Sequence, residues 1–278
     1  KQDEEPQPGL KATLRGELAE GVMQRVWEQL KGGFNLHNEP QESIARIVAS
    51  AVEGALDEHY PPSEDPYRVR FRELERNRLA QLAREWLNVE RKRSEGFRVI
   101  GHQVKVSCEL AGFEVRGRID RLDEIDGGFV VIDYKAGSAK NYTPSQWKSD
   151  RPHKPQLPLY AVALRREGRE VNAVAFGILS AGECKFSGVA ERRDILGMKS
   201  DTLKPNCDDG ESTLSERVGT WERRISRLAS DFLAGSASVD PRVMPGHSRC
   251  TCDHCHLHSA CRIAEAMPVV ADEEDSDE

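Results

Sequence analysis

No run of apolar residues in this 278-residue chain approaches the length of a membrane-spanning helix, and no secretory signal follows its first residues. Membrane proteins of the helical kind and exported proteins are therefore not the expectation. No internal repeat is present, which removes the solenoids and propellers. Cysteine is absent before Cys108, and four of the seven cysteines fall in the last thirty residues. So uneven a distribution is not the framework of a small disulfide-stapled domain. Nothing in the chain resembles a base-reading motif, so sequence-specific binding is not expected. Positive charge also looks scarce, at a net −7, but six acids lie in 272–278 and residues 1–5 add a further excess. Without these ends the body is near neutral, and local basic clusters matter more than the total. Because it begins Lys-Gln-Asp, the chain is read as a piece of a longer intracellular protein.

What is present begins with two adjacent segments, Gly117-Arg118-Ile119-Asp120 and Val131-Ile132-Asp133-Tyr134-Lys135. Alternation in a strand places Asp133 and Lys135 on one face and Tyr134 on the other. Residues 123–128, polar and ending in Gly-Gly, read as a turn that returns the chain antiparallel. Asp120, taken as the end of the first strand, then falls near Asp133. Two carboxylates and an ammonium suit metal-dependent phosphodiester hydrolysis. The carboxylates hold a divalent cation, and the lysine orients a water or offsets developing charge. An Asp-x-Lys tripeptide alone is as well explained by a surface salt bridge. Here it follows the apolar run Phe129-Val130-Val131-Ile132, which reads as a strand buried on both faces. Charges at the end of such a strand cost on the order of several kcal/mol without a partner or a metal, and the site reading leads.

Apolar spacing predicts helices over 10–30, 43–56, 66–89, 155–166 and 214–233. Strands are expected over 97–110, 113–121, 128–134 and 171–179, with 183–188 as the hairpin partner of the last. Residues 1–9 read as a disordered lead-in and 264–278 as an acidic disordered tail. Helices on a short mixed sheet make the chain α/β or α+β. Cys252, Cys255 and Cys261, with Cys250 just upstream, have a spacing at which thiolates bind Zn²⁺ or an iron–sulfur cluster. His254, His256 and His258 keep zinc held by cysteine and histidine as the alternative. Cys108 and Cys184 alternate with apolar residues and are assigned to the core, and Cys207 to a polar loop.

These blocks together resemble the PD-(D/E)xK nuclease superfamily, in its RecB/AddB-like group of DNA-repair nucleases. Arg15 to Glu20 resembles the group's first-helix block. The segments from Gly117 to Asp123 and from Val131 to Gly137 resemble its catalytic hairpin, and Gln156-Leu157-Pro158-Leu159-Tyr160 the helix that follows. Cys252, Cys255 and Cys261 with Arg262-Ile263 resemble the iron–sulfur staple at the domain's end. The resemblance implies a restriction-endonuclease-like core over residues 10–263. That core would comprise a mainly helical part (10–95), a catalytic sheet (96–190) and the Cys-rich staple (250–263). It implies Mg²⁺ or Mn²⁺ held by Asp120, Asp133 and the Tyr134 backbone carbonyl, with Lys135 catalytic. Gln156 and Tyr160 would support the site or contact the strand. Relatives often carry histidine where this chain has Glu20, read as a substituted hard ligand. They also supply a fourth cysteine before the first helix, where this chain has none, so the fourth ligand of a [4Fe–4S] cluster is expected either from a segment ahead of this one or from Cys250.

The expected activity is a metal-dependent deoxyribonuclease, an exonuclease that processes DNA ends beside a helicase-type partner. The alternative is an inactive nuclease fold that grips DNA or that partner. Lys135, Lys140, Lys148, Arg151, His153 and Lys154, with Tyr142 and Trp147 interleaved, suit a path for a DNA strand. A second basic stretch, Arg68, Arg70, Arg72, Arg76 and Arg78, is interrupted by Glu73 and Glu75 and reads as a salt-bridged helix.

Overall fold

A computed structural model of the chain describes residues 10–198, 212–238, 252 and 255–262. The lead-in, the acidic tail, Cys207, Cys250 and His254 lie outside these residues. Five strands form one sheet in the order β1-β2-β3-β4-β5: Arg98–Leu110, Phe113–Ile125, Gly128–Lys135, Val171–Ile178 and Lys185–Ala190. All neighbours are antiparallel except β3 and β4, which run parallel. A parallel pair needs a crossover, and helix α5 (Gln156–Arg166) supplies it. The sheet is therefore mixed and flanked by helices on both faces, as a restriction-endonuclease-like core requires.

One face is covered by α1 (Ala12–Leu30), α3 (Gln41–His59) and α4 (Pro66–Glu90), with the short α2 (Gly33–Asn38) between the first two. Leu18, Val22 and Val26 recur at helical spacing and are wholly buried. Trp86 of α4 packs edge-on against Tyr134 and Phe186 of the sheet. The other face is covered by α5 and α6 (Leu214–Leu233), where Leu157, Val162, Val218 and Trp221 meet Val131, Val174 and Phe176. A capping box between Thr213 and Glu216 starts α6. The run Val130-Val131-Ile132 is fully buried and feeds the two faces alternately. That is the property expected of a strand covered on both sides.

Two details depart from the sequence reading. The turn expected over 123–128 is only Asp126-Gly127, both at positive φ, a two-residue hairpin loop. Asp123 accordingly belongs to β2 and is wholly buried. Helix α2 was not anticipated. Gly32-Gly33 does end α1, but the chain then makes one more short helix whose start is pinned to β1, with Gly33 N–H donating to the Phe97 carbonyl at 2.9 Å. A side chain on either glycine would strike backbone of residues 95–98. The glycine pair thus permits a close approach as well as a stop. Arginines of α4 behave as a salt-bridged helix: Arg72 and Arg76 pair with Glu53 of α3, and Arg70 with Glu73.

Candidate active site

Pairing between β2 and β3 stops at Arg121↔Ile132, whereas β3 continues beside β4 to Lys135↔Ile178. The sheet forks there, and Asp120, Asp133 and Lys135 stand in the fork. Asp120 lies inside the thirteen-residue β2 and not at its end as expected; what ends at Asp120 is the pairing with β3. In place of a ladder partner, the Tyr134 N–H donates to Asp120 Oδ2 at 2.8 Å. Asp133 is 1% exposed. The Lys135 ammonium touches Asp133 Oδ2 as an ion pair, and Oδ1 has no hydrogen-bond partner.

Glu20 of α1 reaches the same point. Gln103 of β1 donates its side-chain N–H to Glu20 Oε1 and, at 3.5 Å, to Asp120 Oδ1. Burial and then the Asp120 and Asp133 charges push Glu20 up to about 7. Burial and the Asp120 charge push Asp133 up to about 6. Asp120 is raised too, chiefly by burial, against the pull of the Tyr134 N–H and Lys135. Burial opposes the charge on Lys135, yet Asp133 beside it holds the ammonium above its usual range.

A divalent cation fits this donor set. Three hard carboxylates, all raised chiefly by burial and two of them also by neighbouring acids, with one Asp133 oxygen left without a partner, form a cluster of negative charge. Among the described residues no three His, Cys, Asp or Glu side chains stand together in the arrangement of a metal site. At this site the amide of Gln103 stands between Glu20 and Asp120.

Gln156 and Tyr160 lie one turn apart on α5, and Gln156 Nε2 donates to the Tyr160 hydroxyl at 3.0 Å. That hydroxyl in turn accepts the Arg118 N–H at 3.3 Å. Tyr160 is buried, and its ring lies where a Cβ on Gly117 would be. The pair therefore braces β2 two residues before Asp120. Gly117 is small because an aromatic ring passes beneath it.

Beneath the site lies a buried charge network that the sequence reading missed. Arg121 pairs with Glu90 and with Asp123 at 2.6 and 2.7 Å, and Arg93 pairs with the same two acids at 2.7 and 2.8 Å. All four side chains are fully buried. Arg121 also donates to the Tyr134 hydroxyl at 3.1 Å and lies over the Trp27 ring. Tyr134 does point away from Asp133 and Lys135, as alternation requires. A signal existed: Arg121 and Asp123 alternate with Asp120 and so belong to the Tyr134 face. Gln103 left no such signal, being a single amide in a strand.

Not all of the expected nucleic-acid path is accessible. Trp147 is buried against Phe176 and Trp221, so it is a core residue and cannot stack on a base. Tyr142 packs on Phe176, and Lys154 lies over the Tyr142 ring while donating to the Asn141 carbonyl at 2.6 Å. Cys108 and Cys184 are core or core-flanking, as expected. Cys252, Cys255 and Cys261 form no disulfide among the described residues. Cys255 N–H donates to the Cys252 carbonyl at 2.9 Å, and Cys255 Sγ accepts the Leu257 N–H at 3.4 Å.

The family model of the PD-(D/E)XK nuclease superfamily matches residues 2–262, nearly the whole chain. The chain belongs to that superfamily, a class of phosphodiester-cleaving enzymes. No curated protein matches it. No helix among the described residues is long and apolar enough to cross a membrane.

Proposed function

We propose that the chain is a Mg²⁺- or Mn²⁺-dependent deoxyribonuclease. Within the superfamily it would be a RecB/AddB-like exonuclease that trims DNA ends during repair beside a helicase-type partner in the bacterial cytoplasm. The observation that carries the reading is Asp133. It is buried, with the Lys135 ammonium paired to one of its oxygens, and it is set against Asp120 where the sheet forks. An acid so placed has no structural use that a neutral residue would not serve better.

In this reading Glu20, Asp120, Asp133 and the Tyr134 carbonyl hold the cation. When bound, it supplies a polarised phosphate and an acidified water. Lys135 Nζ, kept charged by Asp133, orients the attacking water and offsets charge on the phosphoryl oxygens. Gln156 and Tyr160 fix β2 so that Asp120 keeps its place. Lys140 and Lys148 remain for backbone phosphates, while the aromatic share of the path falls to Tyr142 alone. Cys252, Cys255 and Cys261 are proposed ligands of a structural [4Fe–4S] cluster, with Cys250 as the fourth. Zinc is the alternative, and iron, sulfide and zinc analysis of anaerobically purified protein separates the two.

Digestion of end-labelled linear DNA with and without Mg²⁺ tests the enzyme. Lys135→Ala should lower metal-dependent cutting by at least about 100-fold, the range expected for losing one charge-stabilising or proton-handling group. Binding of DNA without cutting by either protein would instead mean that the fold is kept for grip.

A further inference from the structure

Resting on the metal-site reading above, we infer that Gln103 is an additional ligand of the cation. It would bind through its side-chain oxygen, and in the metal-free protein its amide nitrogen keeps the cation's place. Gln103 stands opposite Asp120 across the β1–β2 ladder, at the one position between His102↔Arg121 and Val104↔Ile119 where pairing lapses. Its φ is +51°. For a residue other than glycine in mid-strand that is a costly conformation, of the kind that re-aims a side chain beside a functional site.

The side chain is aimed at the carboxylates. Its –NH₂ lies between Glu20 and Asp120 and donates to both, so the partial positive charge of an amide sits between two acids. Its oxygen is buried and has no hydrogen-bond partner. Such an orphan is rare and costs free energy unless something is to occupy it. Half a turn about the terminal torsion exchanges the nitrogen and the oxygen without moving the backbone. With a cation between Glu20 and Asp120, the donor is no longer needed there, and the oxygen becomes a neutral hard ligand. A cleft of about 430 Å³, lined by Glu20, Gln103, Arg118 and Glu17, gives access to this point.

The test needs no DNA and no turnover. Mn²⁺ binding is measured by calorimetry for the wild type, Gln103→Met, Gln103→Glu and Asp133→Asn, with melting curves in EDTA to show that each is folded. Gln103→Met should bind Mn²⁺ at least about tenfold more weakly, the loss usual for a group that tunes a metal site. Gln103→Glu should bind at least as tightly as the wild type, and its melting temperature should rise more on adding Mn²⁺. Should the methionine variant fail to fold, Gln103→Asn, an amide one methylene short, takes its place. Wild-type affinity in Gln103→Met together with lost binding in Asp133→Asn overturns the role of Gln103 and leaves the site standing. Absence of Mn²⁺ binding by the wild type overturns both.

Discussion

Glu20 shows how the site's electrostatics enter its stability. Its carboxyl sits at about 7 in the folded, metal-free protein, against an ordinary 4.5, because of burial and then Asp120 and Asp133. A raised carboxyl favours the fold only while protonated. That contribution is complete below pH 4.5 and disappears as pH rises through 7. Glu20→Gln should therefore unfold like the wild type near pH 4.5 and, discounted for the solvent that screens this partly exposed group, be more stable by about 2 kcal/mol above pH 7, in EDTA. Urea melts at the two pH values measure it. Equal stability at both would mean that Glu20 does not feel its neighbours. His102, held near 4 by burial and then by Arg121, tilts the curve the other way between 4 and 6.5. For that reason the comparison must be with the variant and not with the pH profile alone.

At the scale of elements, α5 and β2 are coupled through one contact. The Tyr160 ring occupies the space above Gly117, and its hydroxyl holds the Arg118 N–H. Gly117→Ala should cost about 1–3 kcal/mol from overpacking and should depress cutting more than its stability loss explains, because Asp120 moves with the strand. Adding Tyr160→Ala should recover part of the Gly117→Ala penalty. A double-mutant cycle in chemical denaturation reads the coupling, and strict additivity would rule out the brace.

This contact also marks the limit of what residue order makes legible. Gln156 and Tyr160 came from the resemblance of their helix block, and Asp133 and Lys135 from the rule that i and i+2 share a strand face. Both signals are local. What Gly117 touches, forty-three positions away in the chain, is not. Gln103 escaped for a different reason: its position depends on a positive φ that nothing at a glutamine announces. Helix α2 escaped because a glycine pair reads as a stop. Trp147 was mistaken for a nucleic-acid contact because an aromatic among lysines has the same local pattern whether it faces a strand of DNA or Phe176.

For the whole molecule, the buried quartet of Glu90, Arg93, Arg121 and Asp123 joins α4 to β2. Through Arg93 Nε and the Ile195 carbonyl, at 2.8 Å, it also joins the turn after β5. Two acids face two guanidiniums, so the set is neutral only when complete. Burial works against the charge on Arg121, but Asp123 and Glu90 hold it well above its usual range. Arg121→Met should lose about 3–5 kcal/mol of global stability, the cost of leaving a buried acid without its partner. Equilibrium denaturation followed by tryptophan fluorescence reports it, and a loss below about 1 kcal/mol would show that the remaining arginine suffices.

Site and quartet share a strand: Asp120 faces the fork while Arg121, its neighbour, faces the core. A slip of one residue between β2 and its partners would turn arginine into the fork and aspartate into the hydrophobic interior. Neither side would tolerate the exchange, since each error strands a charge. The chain therefore has no comfortable misthreaded form that is compact yet chemically dead. The register that buries the arginine is thus the same register that delivers the aspartate to the fork.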